Sequence, residues 1–211
     1  MSPIATDLLL LAATWLVYFV LHSLLASLVV KEWVAHRWPQ RMPAYRIFFN
    51  LTAPLLLLPP LVMTFSFRGE PLWQWSGSWR WVSFALILGA AAGFLWSMRH
   101  YDGSEFLGLR QWREGVRSVQ DQERLHISPL HRCVRHPWYF LGLVLVWSQD
   151  MDPAFLTSAL AITLYFVVGS RLEERKLLRY HGAAYREYRE RVPGLIPRPW
   201  RCLSREQAEE L

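Results

Sequence analysis

The chain has 211 residues, of which 53% are hydrophobic, 15% aromatic and only 19% charged, with 12 Trp. A soluble domain carries about 25% charged residues. Here the charges are clumped and long apolar stretches stand bare, which excludes an ordinary soluble globule and points to a polytopic membrane protein. The net charge of +6 has no soluble basic domain to sit on, so nucleic-acid binding is excluded with it.

Leu8 to Val30 is predicted as the first spanning helix. It has no basic region before it and no small-residue cleavage site after it, so it reads as a retained helix and not a signal peptide. Tyr18, His22 and Ala26 stack along it at i, i+4. A histidine inside a span is costly and faces protein or a cavity. His22 is therefore either a hydrogen-bonded core residue or part of a site. Lys31 to Tyr45 is a basic linker with Trp33 and Trp38 as interface anchors. Arg46 to Phe67 is the second span. Pro54, Pro59 and Pro60 each remove a backbone donor and crowd the preceding turn, which predicts a kink or break. After a Trp-rich turn, Trp81 to Met98 is the third span, where Gly89-x-x-x-Gly93 offers a flat strip for packing inside the bundle.

Arg99 to Arg135 is a long polar connection, and loops of that size tend to be functional. Within it, Phe106, Leu109, Trp112 and Val116 recur at helical spacing, predicting one short amphipathic helix at the interface. His136 to Gln149 is apolar but short for a span. Asp150 to Pro153 is a tight turn, and Ala154 to Ser170 returns, so the two arms form a helical hairpin. The returning helix continues through Arg171 to Leu178 until Gly182 ends it. A second short helix spans Ala183 to Arg191, Val192 to Pro197 is extended, and the last residues form a polar tail expected to be poorly ordered.

Orientation follows from Lys and Arg. Segments 31–46, 99–135 and 171–211 hold 4, 7 and 10 of them, whereas the other two loops hold only Arg68 and Arg80. The basic side is expected in the cytoplasm. The resulting fold class is an all-α integral membrane protein of about five transmembrane helices, with a C-terminal helical hairpin and cytoplasmic segments at its mouth. Three parts are expected: 1–98 shaping an acceptor side, 99–200 as the chemical core, and 201–211 as the tail. Cys133 and Cys202 have neither metal spacing nor a disulfide framework. Both fall in segments read as cytoplasmic, so reduced thiols are expected and no metal site is read.

The same count brings Arg135-His136-Pro137-Trp138-Tyr139, Arg171-Leu172-Glu173-Glu174 and Tyr185-x-x-Tyr188 to one side at one depth. An imidazole, two carboxylates, two arginines and several phenols therefore converge at the mouth of the hairpin. A surface salt-bridge cluster would be the default for such charges, but the imidazole and phenol beside them point to chemistry.

The ordered set Arg135-His136-Pro137-x-Tyr139, Glu173-Glu174, Gly182-x-x-Tyr185-x-x-Tyr188 and Val192-Pro193-x-x-Ile196-Pro197 resembles the isoprenylcysteine carboxyl methyltransferase and phospholipid methyltransferase superfamily. The likeness covers roughly residues 95–200. Within the superfamily, the bacterial methanethiol S-methyltransferase and NnrU-like branch is most similar. The features are His22-Ser23-Leu24-Leu25-Ala26-Ser27, Phe106-Leu107-Gly108-Leu109-Arg110-Gln111 and Arg171-Leu172-Glu173-Glu174-Arg175. The resemblance implies an integral-membrane methyltransferase using S-adenosylmethionine. It makes the cytoplasmic segments cofactor-binding and assigns Leu130, His131, His136, Pro137, Tyr139 and Glu173 to the cofactor and Arg171 to the acceptor. Beside these, the residues themselves offer Arg135 for the cofactor's carboxylate and Tyr185 as a further wall. His131 stands where the family usually has Tyr, and Tyr139-Phe140-Leu141-Gly142 is one residue longer than its usual Tyr-x-Gly. His22, His131 and Arg171 are the candidates for handling an acceptor proton. The acceptor is a small molecule or a lipid: a thiol first, since three spans shape a small pocket, then a prenylcysteine carboxylate or lipid headgroup. Membrane lipids are the other partners, and the oligomeric state stays open. Two other classes compete. An NADPH-dependent membrane sterol or enone reductase needs more charged and amide groups than this chain offers. A non-enzymatic NnrU-like respiratory accessory protein has no need for Glu173 beside His136.

Overall fold

The computed structural model describes residues 3–117, 119 and 127–210. Among these the secondary structure is helical: α1 (Pro3–Ala26), α2 (Leu28–Arg37), α3 (Tyr45–Ser66), α4 (Trp79–Met98), α5 (Gly103–Leu107), α6 (Leu109–Arg113), α7 (Pro137–Trp147), α8 (Pro153–Arg191) and α9 (Arg205–Glu209). Four stretches are long and apolar enough to cross a membrane: Ile4–Ala26, Pro39–Ser66, Trp79–Met98 and Pro153–Arg191. The fifth apolar helix, α7, is shorter. Its 11 residues rise about 16 Å, roughly half of a hydrocarbon core of about 30 Å. Leu16, Leu51, Leu88 and Leu164 point outward, as side chains do whose solvent is lipid. The protein is an all-α integral membrane protein.

The chain divides into two compact units. The first draws on Met1–Trp73, Tyr101–Arg124 and Met151–Ala161. In it α1 packs on α3, and Leu11 and Trp15 are buried. Trp15 Nε1 donates to Ser158 Oγ (2.8 Å), and Ser158 and Thr64 share a hydroxyl bond of 2.7 Å. Thr64 in turn donates to the Pro60 carbonyl (2.7 Å). Every polar atom in this relay has a partner, as a span without water requires. Helix α3 runs unbroken through Pro54, Pro59 and Pro60. Three lost donors cost less in hydrocarbon than the many backbone groups a break would expose.

Two expectations are corrected in this unit. The first helix stops at Ala26 and not at Val30, because Ser27 (φ −69°, ψ 150°) leaves the helix and caps α2. Its Oγ donates to Leu24 O (2.7 Å) and accepts from Val30 N (3.3 Å). The single amphipathic helix is instead two five-residue helices, α5 and α6, separated by Gly108 at φ +84°. A Cβ at Gly108 would lie 2.9 Å from both Arg46 Cβ and Ile47 N, so the turn needs glycine for its φ and for its closeness to α3. Phe106 O accepts from Arg46 Nε (3.2 Å) and Asn50 Nδ2 (2.9 Å), which clamps the turn in place.

The second unit draws on Gln74–His100, Leu125–Asp150 and Ile162–Leu211. Here α4 packs on α7. A Cβ at Gly93 would lie 3.0 Å from Leu141 Cδ2, while one at Gly89 would meet nothing within 4 Å. Half of the small-residue strip thus serves the bundle. Ser97 Oγ accepts from Trp138 Nε1 (2.8 Å), and Thr163 Oγ1 accepts from Trp147 Nε1 (2.9 Å), joining α7 to α4 and α8. At Gly182 (φ 54°, ψ −119°) α8 loses helical geometry, at the position where the sequence places its stop.

The C-terminal residues differ from a loose polar tail. Leu203 is buried with Tyr185, Tyr188 and Val192. Its N–H donates to Arg132 O, and its carbonyl accepts from Arg132 Nε, both at 2.9 Å. Ser204 and Gln207 form a reciprocal cap on α9. Cys133 and Cys202 are joined as a disulfide, with Cα atoms 4.2 Å apart, which corrects the expectation of free thiols. Folding of Leu203 onto Arg132 brings together two cysteines 69 positions apart.

Candidate functional site

The site lies in the second unit, where α7 begins. Pro137 opens α7 and tolerates this place because the first turn has no partner for its missing N–H. The residues ahead of it are held by the extended segment after α8. Arg135 N donates to Pro193 O (2.8 Å) and His136 N to Gly194 O (3.1 Å). A Cβ at Gly194 would lie 3.2 Å from an Arg135 guanidinium nitrogen, so a small residue lets the two segments approach.

Arg135 is nearly buried and fully engaged. Its Nε and Nη2 donate to one oxygen of Glu174, Oε1, at 2.9 and 2.6 Å. Its Nη1 donates to the carbonyls of Arg189 (2.8 Å) and Val192. Glu174 Oε1 also meets His136 Nε2 at 3.2 Å. The other imidazole nitrogen, Nδ1, lies 3.4 Å from Glu173 Oε2. Tyr139 Oη donates to that same Glu173 oxygen (3.2 Å). His136 is thus set between two carboxylates, with its side chain 5% exposed. Burial by itself pushes this imidazole down. Hydrogen bonds and charge from Glu173 and Glu174 outweigh it and hold His136 above its ordinary value.

Glu173 is the open member of the group. His136 and Tyr139 both meet it at Oε2, the Lys176 charge acts on it as well, and its side chain is 45% exposed, against 13% for Glu174. The phenol of Tyr185, a buried residue, faces Arg135 and Glu174. Leu130 and His131 occupy the turn just before the motif. The Leu130 carbonyl accepts from Cys133 N (3.1 Å) and Val134 N (3.2 Å). The His131 ring meets Ser128 Oγ at 2.8 Å, and its carbonyl accepts from Tyr188 Oη at 2.6 Å.

The structure brings Arg135, His136, Pro137, Tyr139, Glu173 and Tyr185 together, with Leu130 and His131 alongside. Arg171 is exposed on α8. Two helical residues apart is about 200° around the axis, so Arg171 and Glu173 do not share a face, whereas Arg171 and Glu174 do. His22 belongs to the first unit, half-buried between Tyr18 (5.6 Å) and Phe49 (5.1 Å, ring centroids). Sequence reasoning missed Phe166, whose ring stacks on Tyr139 at 4.7 Å. The only signal for it was its place seven residues before Glu173 on the same helix.

The sequence has counterparts among known proteins. Methanethiol S-methyltransferase 2 of Bradyrhizobium diazoefficiens is 32% identical over 202 residues, which cover 93% of this chain and 74% of that protein. The chain belongs to the methanethiol S-methyltransferase family. The methanethiol S-methyltransferase of Mycobacterium tuberculosis is 30% identical, covering 88% of this chain and 76% of its own length. That of Pseudomonas deceptionensis is 29% identical, covering 85% and 69%. No family model and no solved structure matches the chain. The protein is a membrane methyltransferase and needs a methyl donor. Neither the reductase nor the accessory-protein reading is favoured by these relatives.

Proposed function

We propose that this protein transfers a methyl group from S-adenosylmethionine to a small thiol, methanethiol first, at the cluster around Glu173. One observation carries the reading. Glu173 has one oxygen held by His136 and Tyr139 while nearly half of its side chain stays exposed. A carboxylate kept ionised and aimed outward fits the hydroxyl and ammonium donors of that cofactor. When bound, the cofactor supplies the electrophilic methyl of its sulfonium.

The chain's own residues bind and position. Glu173 accepts hydrogen bonds from the ligand, and Tyr139 steadies that carboxylate through its hydroxyl. Leu130, His131, Pro137 and Tyr185 shape the remaining walls. Arg135 serves the site by holding Glu174 and the segment from Val192 to Gly194, because its donors are already used there. Methyl transfer is an in-line displacement, so fixed geometry supplies most of the acceleration. A thiolate acceptor and a sulfonium donor lose their charges together, which a water-poor site at the membrane favours. Of the candidates for handling the thiol proton, His131 and Arg171 belong to the unit that holds the cluster and His22 belongs to the first. The basic side of the chain faces the cytoplasm of a bacterial inner membrane, with the N-terminus outside and the C-terminus inside.

The test is labelled methyl transfer by the purified protein to small thiols, a prenylcysteine and phospholipid, with volatile thioethers trapped. Labelled dimethyl sulfide from methanethiol is expected. Label confined to lipid or prenylcysteine overturns the acceptor. Glu173→Ala is expected to abolish S-adenosylmethionine binding and leave the fold intact. Unchanged affinity in that variant overturns the site.

A further inference from the structure

Three rings stand face to face beside Glu173. His136 and Tyr139 have centroids 5.3 Å apart and planes 8° apart. Tyr139 and Phe166 follow at 4.7 Å and 4°. The first two rings also carry the polar contacts to Glu173 Oε2. Phe166 has no polar atom, yet it lies two helical turns before Glu173, on the same face of α8. One helix therefore presents both the ring that stacks on Tyr139 and the carboxylate that receives its hydroxyl.

The place of the Phe166 ring is kept by a missing side chain. A Cβ at Gly142 would lie 2.9 Å from Phe166 Cε2 and 3.2 Å from its Cζ. A tyrosine side chain has two principal torsions. The hydrogen bond to Glu173 holds the far end of Tyr139, but rotation about the ring axis leaves that bond intact. The stack on Phe166 restrains that rotation, and His136 rests on the opposite face of the same ring.

We propose that Phe166 is a positioning residue of the methyl-transfer site. It sets the ring plane of Tyr139 and, through the stack, that of His136, whose Nδ1 faces Glu173 Oε2, so that the carboxylate is presented to the cofactor in one orientation. The inference rests on the reading of Glu173 as the cofactor carboxylate.

The test uses the full chain in lipid nanodiscs, with S-adenosylhomocysteine affinity and methyl transfer to methanethiol as readouts. Phe166→Met keeps apolar bulk and removes the ring. It is expected to weaken affinity about tenfold or more, within the roughly hundredfold that a misplacement of about 1 Å can cost a site. Phe166→Tyr, which keeps the stacking ring, is expected to restore most of that loss. Gly142→Ala pushes on the ring without removing it and is expected to weaken affinity by itself. Added to Phe166→Met it should cost little more, since coupled neighbours are not additive. Wild-type affinity in Phe166→Met overturns the proposal. So does a Phe166→Tyr as weak as the Met variant, or a Gly142→Ala whose cost is the same in both backgrounds. Glu173→Gln separates the two readings. Near-wild-type binding there overturns the site and the positioning role together, while loss there with Phe166→Met unaffected overturns the positioning role alone.

Discussion

His136 draws its importance from what stands on either side of it. Two carboxylates, both within 3.4 Å of a ring nitrogen, would repel one another across a neutral ring, and a protonated imidazole removes that repulsion. Its proton affinity is raised in the folded protein. The stabilisation is then complete below the ordinary imidazole value of about 6.5 and is lost as pH rises through the raised value. Thermal midpoints of the wild type should therefore fall on the alkaline side of that value, and His136→Gln should flatten the fall. A midpoint with the same pH dependence in both proteins would remove the charged imidazole from the account. His22 is a different kind of residue, set among Tyr18 and Phe49 in the first unit. His22→Ala should lower turnover more than cofactor affinity, measured by methyl transfer beside equilibrium binding. Equal loss of both would make it a packing residue. Of the residues singled out by motif, those around Glu173 do come together, and their grouping was legible because polar residues stand out at the ends of apolar helices. Phe166 was not, because an apolar residue in an apolar helix carries no distinguishing mark.

Among the elements, breaks and short pieces decide how the polar segments are set. Gly108 turns one expected helix into two and lets Phe106 O meet Arg46 and Asn50. An alanine there would need the left-handed region and would press on Arg46 and Ile47. Gly108→Ala should destabilise the protein by about 1–3 kcal/mol, read as a lowered midpoint in thermal denaturation. A midpoint equal to wild type would mean the turn has room to relax. The helical period of Phe106, Leu109, Trp112 and Val116 was a true signal of helix. It could not reveal the interruption, because a glycine inside a pattern reads equally as a tolerated residue or a turn. Of the kink or break that the three prolines of α3 predicted, the break does not occur. In water they would end a helix, and in hydrocarbon the cost of unpaired backbone keeps the helix whole.

At the scale of the molecule, four long apolar helices and the shorter α7 leave the basic segments on one side by the sequence count. A C-terminal reporter fusion should behave as cytoplasmic and an N-terminal one as external. A reporter active outside at the C-terminus would invert the proposed orientation. The sequence by itself determined the class of fold, the hairpin, the stop at Gly182 and the group of polar residues at the hairpin mouth. These depend on local period, on turn chemistry and on the expense of charge in an apolar run, all of which are written in neighbouring residues. Only the tertiary structure decided that Leu203 closes on Arg132 with Cys133 bonded to Cys202. It also decided that Arg135 is committed to Glu174 and two carbonyls, and that Phe166 backs Tyr139. Those pairings join residues far apart in the chain, and no local pattern records which distant partner a side chain will meet.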